Sequence, residues 1–108
     1  MRQASVLPTL DADGYLVDPA QWSEEIALTL AQREGIELGP DHWDVLRFMR
    51  RYYDENRVAA DARFVIRHLG ERYGAAARNR LFELFPYGYP GQACKIAGMK
   101  RPRAWSTG

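Results

Sequence analysis

Four groups of helix breakers decide what this chain can become: Gly35, Gly39-Pro40, Gly70, and the run Pro86, Gly88, Pro90, Gly91. Glycine weakens a helix interior and proline ends one, so each group marks a stop or a start. Between them, apolar residues recur every three or four positions, the period of a helix with one buried face. Trp22, Ile26 and Leu30 make one such stripe, with Ala27 and Ala31 beside it. Asp18 and Pro19 suit its start as cap and first helical residue, Glu24 and Glu25 suit its positive end, and Gly35 stops it. A second, longest helix is predicted from Gly39-Pro40-Asp41 to about Glu55, with Trp43, Leu46, Met49 and Tyr53 inward and Val45 and Tyr52 flanking. A third is predicted from Ala59 to Leu69, with Phe64, Val65, Ile66 and Leu69 apolar and Gly70 as its end. A fourth follows from Ala75 to Leu84, built on Leu81, Phe82 and Leu84.

The two ends read differently. Val6 to Val17 holds two short apolar runs around Asp11-Ala12-Asp13-Gly14, a hairpin signal, with Pro8 confining the first strand to an edge. After the breakers at 86–91, Gln92 to Ala97 is long enough for a turn or two of helix, which Gly98 ends and Pro102 keeps from restarting. From Lys100 onward there are three cations, Lys100, Arg101 and Arg103, and no acid. The expected fold is therefore mainly α: one domain over 1–108 of about five helices, with a short N-terminal β-hairpin. Its body spans about 1–91, and a flexible C-terminal arm spans about 92–108.

With 108 residues the chain can build one core and not two. Fifteen basic against fourteen acidic residues leave it near neutral, so its overall field calls for neither nucleic acid nor a membrane surface. Acids dominate the first 45 residues and bases the end. The single cysteine rules out an intramolecular disulfide and a cysteine zinc site. No apolar run follows a basic start, and no stretch is long enough to span a membrane, so a soluble, cytoplasmic protein is expected. A lone thiol stays reduced there.

Few residues offer chemistry. His42 and His68 are isolated from carboxylate or cysteine companions at ligand spacing, so both read as structural; no metal and no cofactor is expected. No glycine-rich phosphate loop is present, because Gly88-Tyr89-Pro90-Gly91 does not lead from a strand into a cradle of free amides. Arg47, Arg50 and Arg51 read as a solvated charged face, paired at helical spacing with Asp44 or Asp54. Arg63 and Arg67 lie four apart on one face with no acid placed to pair both, Asp61 being only two residues from Arg63, so they form a candidate anion or partner site. Cys94 is the one candidate nucleophile. It reads equally as a small buried apolar group or as a thiolate helped by a helix N-terminus and by Lys95, Lys100, Arg101 and Arg103. Trp105 has no local apolar neighbours adequate to cover it and is a candidate anchor for a partner.

The succession Gly35-Ile36-Glu37-Leu38, His42-Trp43-Asp44-Val45, Arg50-Arg51-Tyr52-Tyr53, Leu84-Phe85-Pro86 and Cys94-Lys-Ile-Ala-Gly-Met-Lys-Arg-Pro102 resembles the DsrC/TusE/DsvC family of sulfur-relay proteins over nearly the whole chain. The resemblance implies a mostly helical fold with an N-terminal hairpin and a flexible C-terminal arm. It also implies persulfide sulfur taken from a sulfurtransferase and handed to tRNA thiolation or a sulfite reductase. Family members carry sulfur on a penultimate cysteine, and some have a second cysteine eleven residues earlier. Cys94 matches that earlier position, and Trp105 stands where the carrier would be. Arg63 and Arg67 match a basic pair in the family's third helix.

Three functions follow. One is a sulfur carrier acting through Cys94 as its catalytic residue, meeting a sulfurtransferase or sulfite reductase through Lys100, Arg101, Arg103 and Trp105. A second is a carrier-deficient regulatory or docking protein of sulfur metabolism. A third is DNA binding through a helix-turn-helix formed by the second and third helices, led by Arg63 and Arg67. Near-zero net charge weighs against DNA. No independent catalytic constellation makes the chain an enzyme beyond a sulfurtransferase-type role.

Overall fold

The computed structural model describes residues 7–100 and is mainly helical. Four helices, α1 (Glu24–Arg33), α2 (Pro40–Asn56), α3 (Ala62–Tyr73) and α4 (Ala77–Leu84), are followed by a single helical turn, α5 (Cys94–Ile96). Their inward residues share one core, in which Leu30, Val45, Leu46, Met49, Val65, Leu69, Phe85, Ile96 and Met99 are buried.

The helix expected from Pro19 is two elements. Asp18 accepts from Ala20 N at 3.0 Å and caps a separate turn, Pro19–Gln21, while Ser23 accepts from Ile26 N at 3.3 Å and caps α1. Trp22 between them is extended, at φ −70° and ψ 145°, which frees its indole from the α1 stripe for use elsewhere. At the other end Gly35 takes φ +73°, and the amides of Gly35 and Ile36 close back on the carbonyls of Gln32 and Ala31. This is a glycine-dependent C-cap that the sequence announces.

Helix α2 runs as expected, with one rotation: Val45 is fully buried, while Trp43 and Tyr53 are half-buried. Helix α3 passes through Gly70 and stops at Gly74, which has φ +56°. An interior glycine costs a helix only about 1 kcal/mol, and contacts of Arg72 and Tyr73 beyond it outweigh that. Helix α4 matches its prediction, although Phe82 points outward.

The N-terminal segment is held by one antiparallel bridge, Leu10 to Leu16, with no longer strand among the described residues. Asp11 organises its turn, accepting from the amides of Asp13 and Tyr15 at 2.9 Å. Val6, where the hairpin reading begins, lies outside the described residues. The segment from residue 92, read as the start of an arm, is core over 92–99. Gln92, Ala93, Cys94, Ile96, Ala97 and Met99 are all buried. No described helix is long and apolar enough to cross a membrane.

Candidate functional site

The chain's one thiol sits in the segment 89–99, whose shape comes from hydrogen bonds at both ends. A wide turn of π type, Tyr89–Ala93, runs without a break into α5, and Cys94 N donates to Tyr89 O. After α5, Gly98 takes φ +74°, Gly98 N donates to Lys95 O at 3.1 Å, and Met99 N to Cys94 O at 2.9 Å. That pair of bonds is the glycine C-cap seen at the end of α1, here joined by burial of both Met99 and Cys94.

Residues distant in sequence hold this segment down. Tyr15 donates its hydroxyl to Pro90 O at 2.6 Å, and Tyr89 donates to Ala60 O at 2.6 Å. Glu34, at the end of α1, accepts from Lys95 Nζ and from Gln92 Nε2, each at 3.4 Å. Gln92 is buried and accepts from Tyr87 N at 3.0 Å, so its amide is satisfied at both ends. Trp22 Nε1 donates to Ile96 O at 2.9 Å, and Arg50 donates to Ala97 O at 3.0 Å and Pro19 O at 2.9 Å. The Arg50 guanidinium lies 4.8 Å from the centre of the Trp22 ring. Gly98 packs so close to that ring that a Cβ there would meet Trp22 Cδ1 at 2.5 Å. Arg50 is thus no part of a solvated face. It carries a backbone clamp.

The Cys94 thiol is fully enclosed, and burial pushes it up to about 12. The Tyr89 hydroxyl is the hydrogen-bonding group beside the thiol. Its proton is committed to Ala60 O, so it is left to accept from the thiol rather than to steady a thiolate. Among the described residues the expected cationic help is absent. Lys95 turns to Glu34 and the Tyr15 ring, 5.3 Å from its centre, and Lys100 is exposed. Nor does Cys94 stand at a helix N-terminus, because the turn before it already continues the helical path. In this conformation the thiol is neutral at physiological pH and closed to reagents.

A second polar cluster ties the helices together. Asp41, in the first turn of α2 and only 8% exposed, accepts from Arg72 Nη1 at 2.6 Å and from Arg80 Nη2 and Nε at 2.8 and 3.0 Å. The Tyr73 hydroxyl also donates to it. The hydrogen bonds from Tyr73 and Arg80 hold the carboxyl below its usual range, against the opposing effect of burial. Beside it, His42 Nδ1 accepts from Gly39 N at 3.0 Å, which leaves Nε2 to donate to Leu84 O at 2.9 Å. Its ring meets Phe85 edge-on. Burial lowers the His42 pKa, favouring the neutral ring.

The whole-chain comparison decides the family. Residues 4–104 match the family model described as DsrC like protein. The chain belongs to the DsrC-like family. It is 40% identical over 94 residues to the sulfurtransferase TusE of Escherichia coli strain K12, covering 85% of this chain and 86% of that protein. The TusE of Pectobacterium atrosepticum is 43% identical over the same shares. Among solved structures, it resembles the oxidized gamma-subunit of the dissimilatory sulfite reductase (DsrC) from Archaeoglobus fulgidus, with a TM-score of 0.78 and 30% identity over 92% of each chain. It also resembles DsrC of Allochromatium vinosum, with a TM-score of 0.76 and 34% identity over 90% of this chain and 88% of that one.

Of the other expected site residues, the structure describes Arg63, Arg67 and Lys100. Arg63 and Arg67 are exposed on α3, but Asp61 does not point away. It caps α3 through Arg63 N at 2.9 Å and accepts from Arg63 Nε at 3.3 Å. Arg67 lies over the Phe64 ring at 5.6 Å. His68 does have a carboxylate companion, Asp44, at 3.0 Å, and stacks on Phe48. Among the described residues no group of three or more His, Cys, Asp or Glu stands ready for a metal. Arg101, Arg103 and Trp105 lie outside the described residues. Sequence reasoning missed Asp41 as a hub and Trp22 and Arg50 as a clamp. Asp41 is 31 and 39 residues from the arginines it binds, and Arg50 is 47 from Ala97. No local spacing signals such pairs.

Proposed function

We propose that this DsrC-like chain works in sulfur relay and that Cys94 is its sulfur acceptor. One observation carries the assignment: the sole cysteine of a chain whose residues 4–104 match the family lies in the segment 89–99, clamped at the C-terminal end of the described body. Any persulfide on the chain must therefore form on Cys94. The reaction is a transfer between thiols. The Cys94 thiolate attacks the terminal sulfur of a persulfide on a partner, the partner's S–S bond breaks, and the partner leaves as a thiolate. Cys94 then carries the persulfide, with no net oxidation. The donor is a sulfurtransferase, and the acceptor is a sulfite reductase or tRNA-thiolation system. The residues beyond the clamp, Lys100, Arg101, Arg103 and Trp105, meet the partner, the cations steering the approach and the indole anchoring it.

A mass measurement tests the assignment. After incubation with a persulfide-loaded sulfurtransferase, the wild type should gain the mass of one sulfur atom, and Cys94→Ala should gain none. The enclosure of Cys94 favours a second reading, a docking protein of sulfur metabolism that binds the same partners without carrying sulfur. Partner binding by both wild type and Cys94→Ala, with no added sulfur on either, would establish that reading instead.

A further inference from the structure

The helical turn that holds Cys94 cannot hold itself. Even with the π turn that runs into it, the helical path over 89–96 is shorter than the roughly 12 residues an isolated helix needs to hold itself in water. Its conformation is imposed from outside. Tyr15 and Tyr89 fasten the beginning of the segment, through the carbonyls of Pro90 and Ala60. Trp22 and Arg50 fasten its end, through the carbonyls of Ile96 and Ala97. Arg50 is also bonded to Pro19 O and sits over the Trp22 ring, so the two side chains act as one unit. The ring presses on Gly98, whose φ of +74° ends the turn. Helices α2, α3 and α4 have a separate tie, the Asp41 hub, which touches none of these groups.

From this division we propose that Trp22 and Arg50 form a latch over Cys94. When the latch lets go, residues 94–99 peel away from their C-terminal side as a unit, exposing the thiol while α1 to α4 remain folded. Ile96, Ala97 and Met99 leave the core in that step, so the open form is a minor state that a partner gripping the following residues would favour. The purpose of the latch rests on the reading of Cys94 as sulfur acceptor; its opening does not.

Labelling of the full chain with an aromatic disulfide reagent, followed by absorbance, reads the opening directly. The wild type should label slowly, at a rate nearly flat in low urea, because local opening exposes little surface. Trp22→Phe and Arg50→Lys should each label roughly fivefold faster, the equivalent of about one lost hydrogen bond. Arg72→Gln, which weakens the Asp41 hub, should lower overall stability and leave labelling in plain buffer unchanged. The latch is overturned if wild-type labelling rises with urea as steeply as global unfolding. It is equally overturned if the clamp variants label at the wild-type rate, or if Arg72→Gln speeds labelling as much as they do. Should Trp22→Phe lose its helical circular dichroism, Arg50→Lys decides alone. Sulfur loading measured in parallel separates the two ideas. A chain that labels as predicted yet takes no sulfur keeps the latch and loses the relay role; one that takes sulfur while labelling only through global unfolding does the reverse.

Discussion

Asp41 and Arg50 each bring one charge into the body, and they use it in opposite ways. Asp41 gathers three side chains, Arg72, Tyr73 and Arg80, from two later helices. Arg50 gathers two backbone carbonyls, those of Pro19 and Ala97. A side-chain hub constrains residue identity at every position it joins. A clamp on carbonyls constrains only the path of the backbone and leaves the clamped side chains free to serve the core. The hub therefore belongs to the stability of the helical body, whereas the clamp belongs to the placement of the segment around Cys94.

The largest test of that contrast is Gly98→Ala. The new methyl would stand 2.5 Å from Trp22 Cδ1 on a backbone at φ +74°, and overpacking plus the left-handed conformation should cost about 3 kcal/mol. Urea unfolding measures the loss, and Cys94 labelling should accelerate with it. A neutral substitution would mean that the indole does not press on the turn.

Next in size is Asp41→Ala, expected to cost about 2 kcal/mol because it strips Tyr73, Arg72 and Arg80 of a shared acceptor. The figure stays below that for a fully buried pair because Arg72 is more than half exposed and rehydrates. Thermal unfolding should show the loss while Cys94 labelling in plain buffer stays put. Faster labelling to match would erase the distinction between hub and clamp.

The smallest signal is a slope with pH. Burial lowers the folded pKa of His42, so the unfolded chain takes up a proton first as pH drops below about 6.5, and stability falls from there downward. Asp41, also lowered on folding, contributes fully above the ordinary carboxylate range near 3.9 and loses that contribution at lower pH, as the folded carboxyl protonates. Urea midpoints between neutral and mildly acidic pH should decline for the wild type and flatten for His42→Gln. An unchanged slope in that variant would assign the pH dependence to other groups.

Most places where sequence reading departs from the fold have a tertiary cause. Gly70 reads as a stop, yet α3 continues, because Arg72 and Tyr73 reach Asp41 one turn later. Arg50 reads as solvated beside Asp54, yet it turns inward to carbonyls supplied by two distant segments. Asp61 reads as pointing away from Arg63, yet capping α3 brings its carboxylate back to that side chain. For Gly70 and Arg50 a tertiary partner outweighs a local preference worth about 1 kcal/mol or less, whereas the Asp61 cap is itself local, two residues from the amide and side chain it binds.

What the sequence determined by itself is whatever a short stretch of chain settles alone. The spacing of Leu30, Leu46, Met49 and Leu69 assigns helices with one buried face, and Gly35 and Gly98 end them because glycine takes a positive φ at little cost. The motifs from Gly35 to Pro102 also carry the family. The tertiary structure decided the state of the thiol. Whether Cys94 is a reactive thiolate or a closed neutral group depends on the charges and carbonyls around it. Here burial decides it, in a segment held down by Tyr15, Glu34, Arg50 and Ala60, which reach it only when the helices pack. Local spacing fixes the elements, but the dielectric and the hydrogen-bond partners at a buried sulfur are properties of the whole fold.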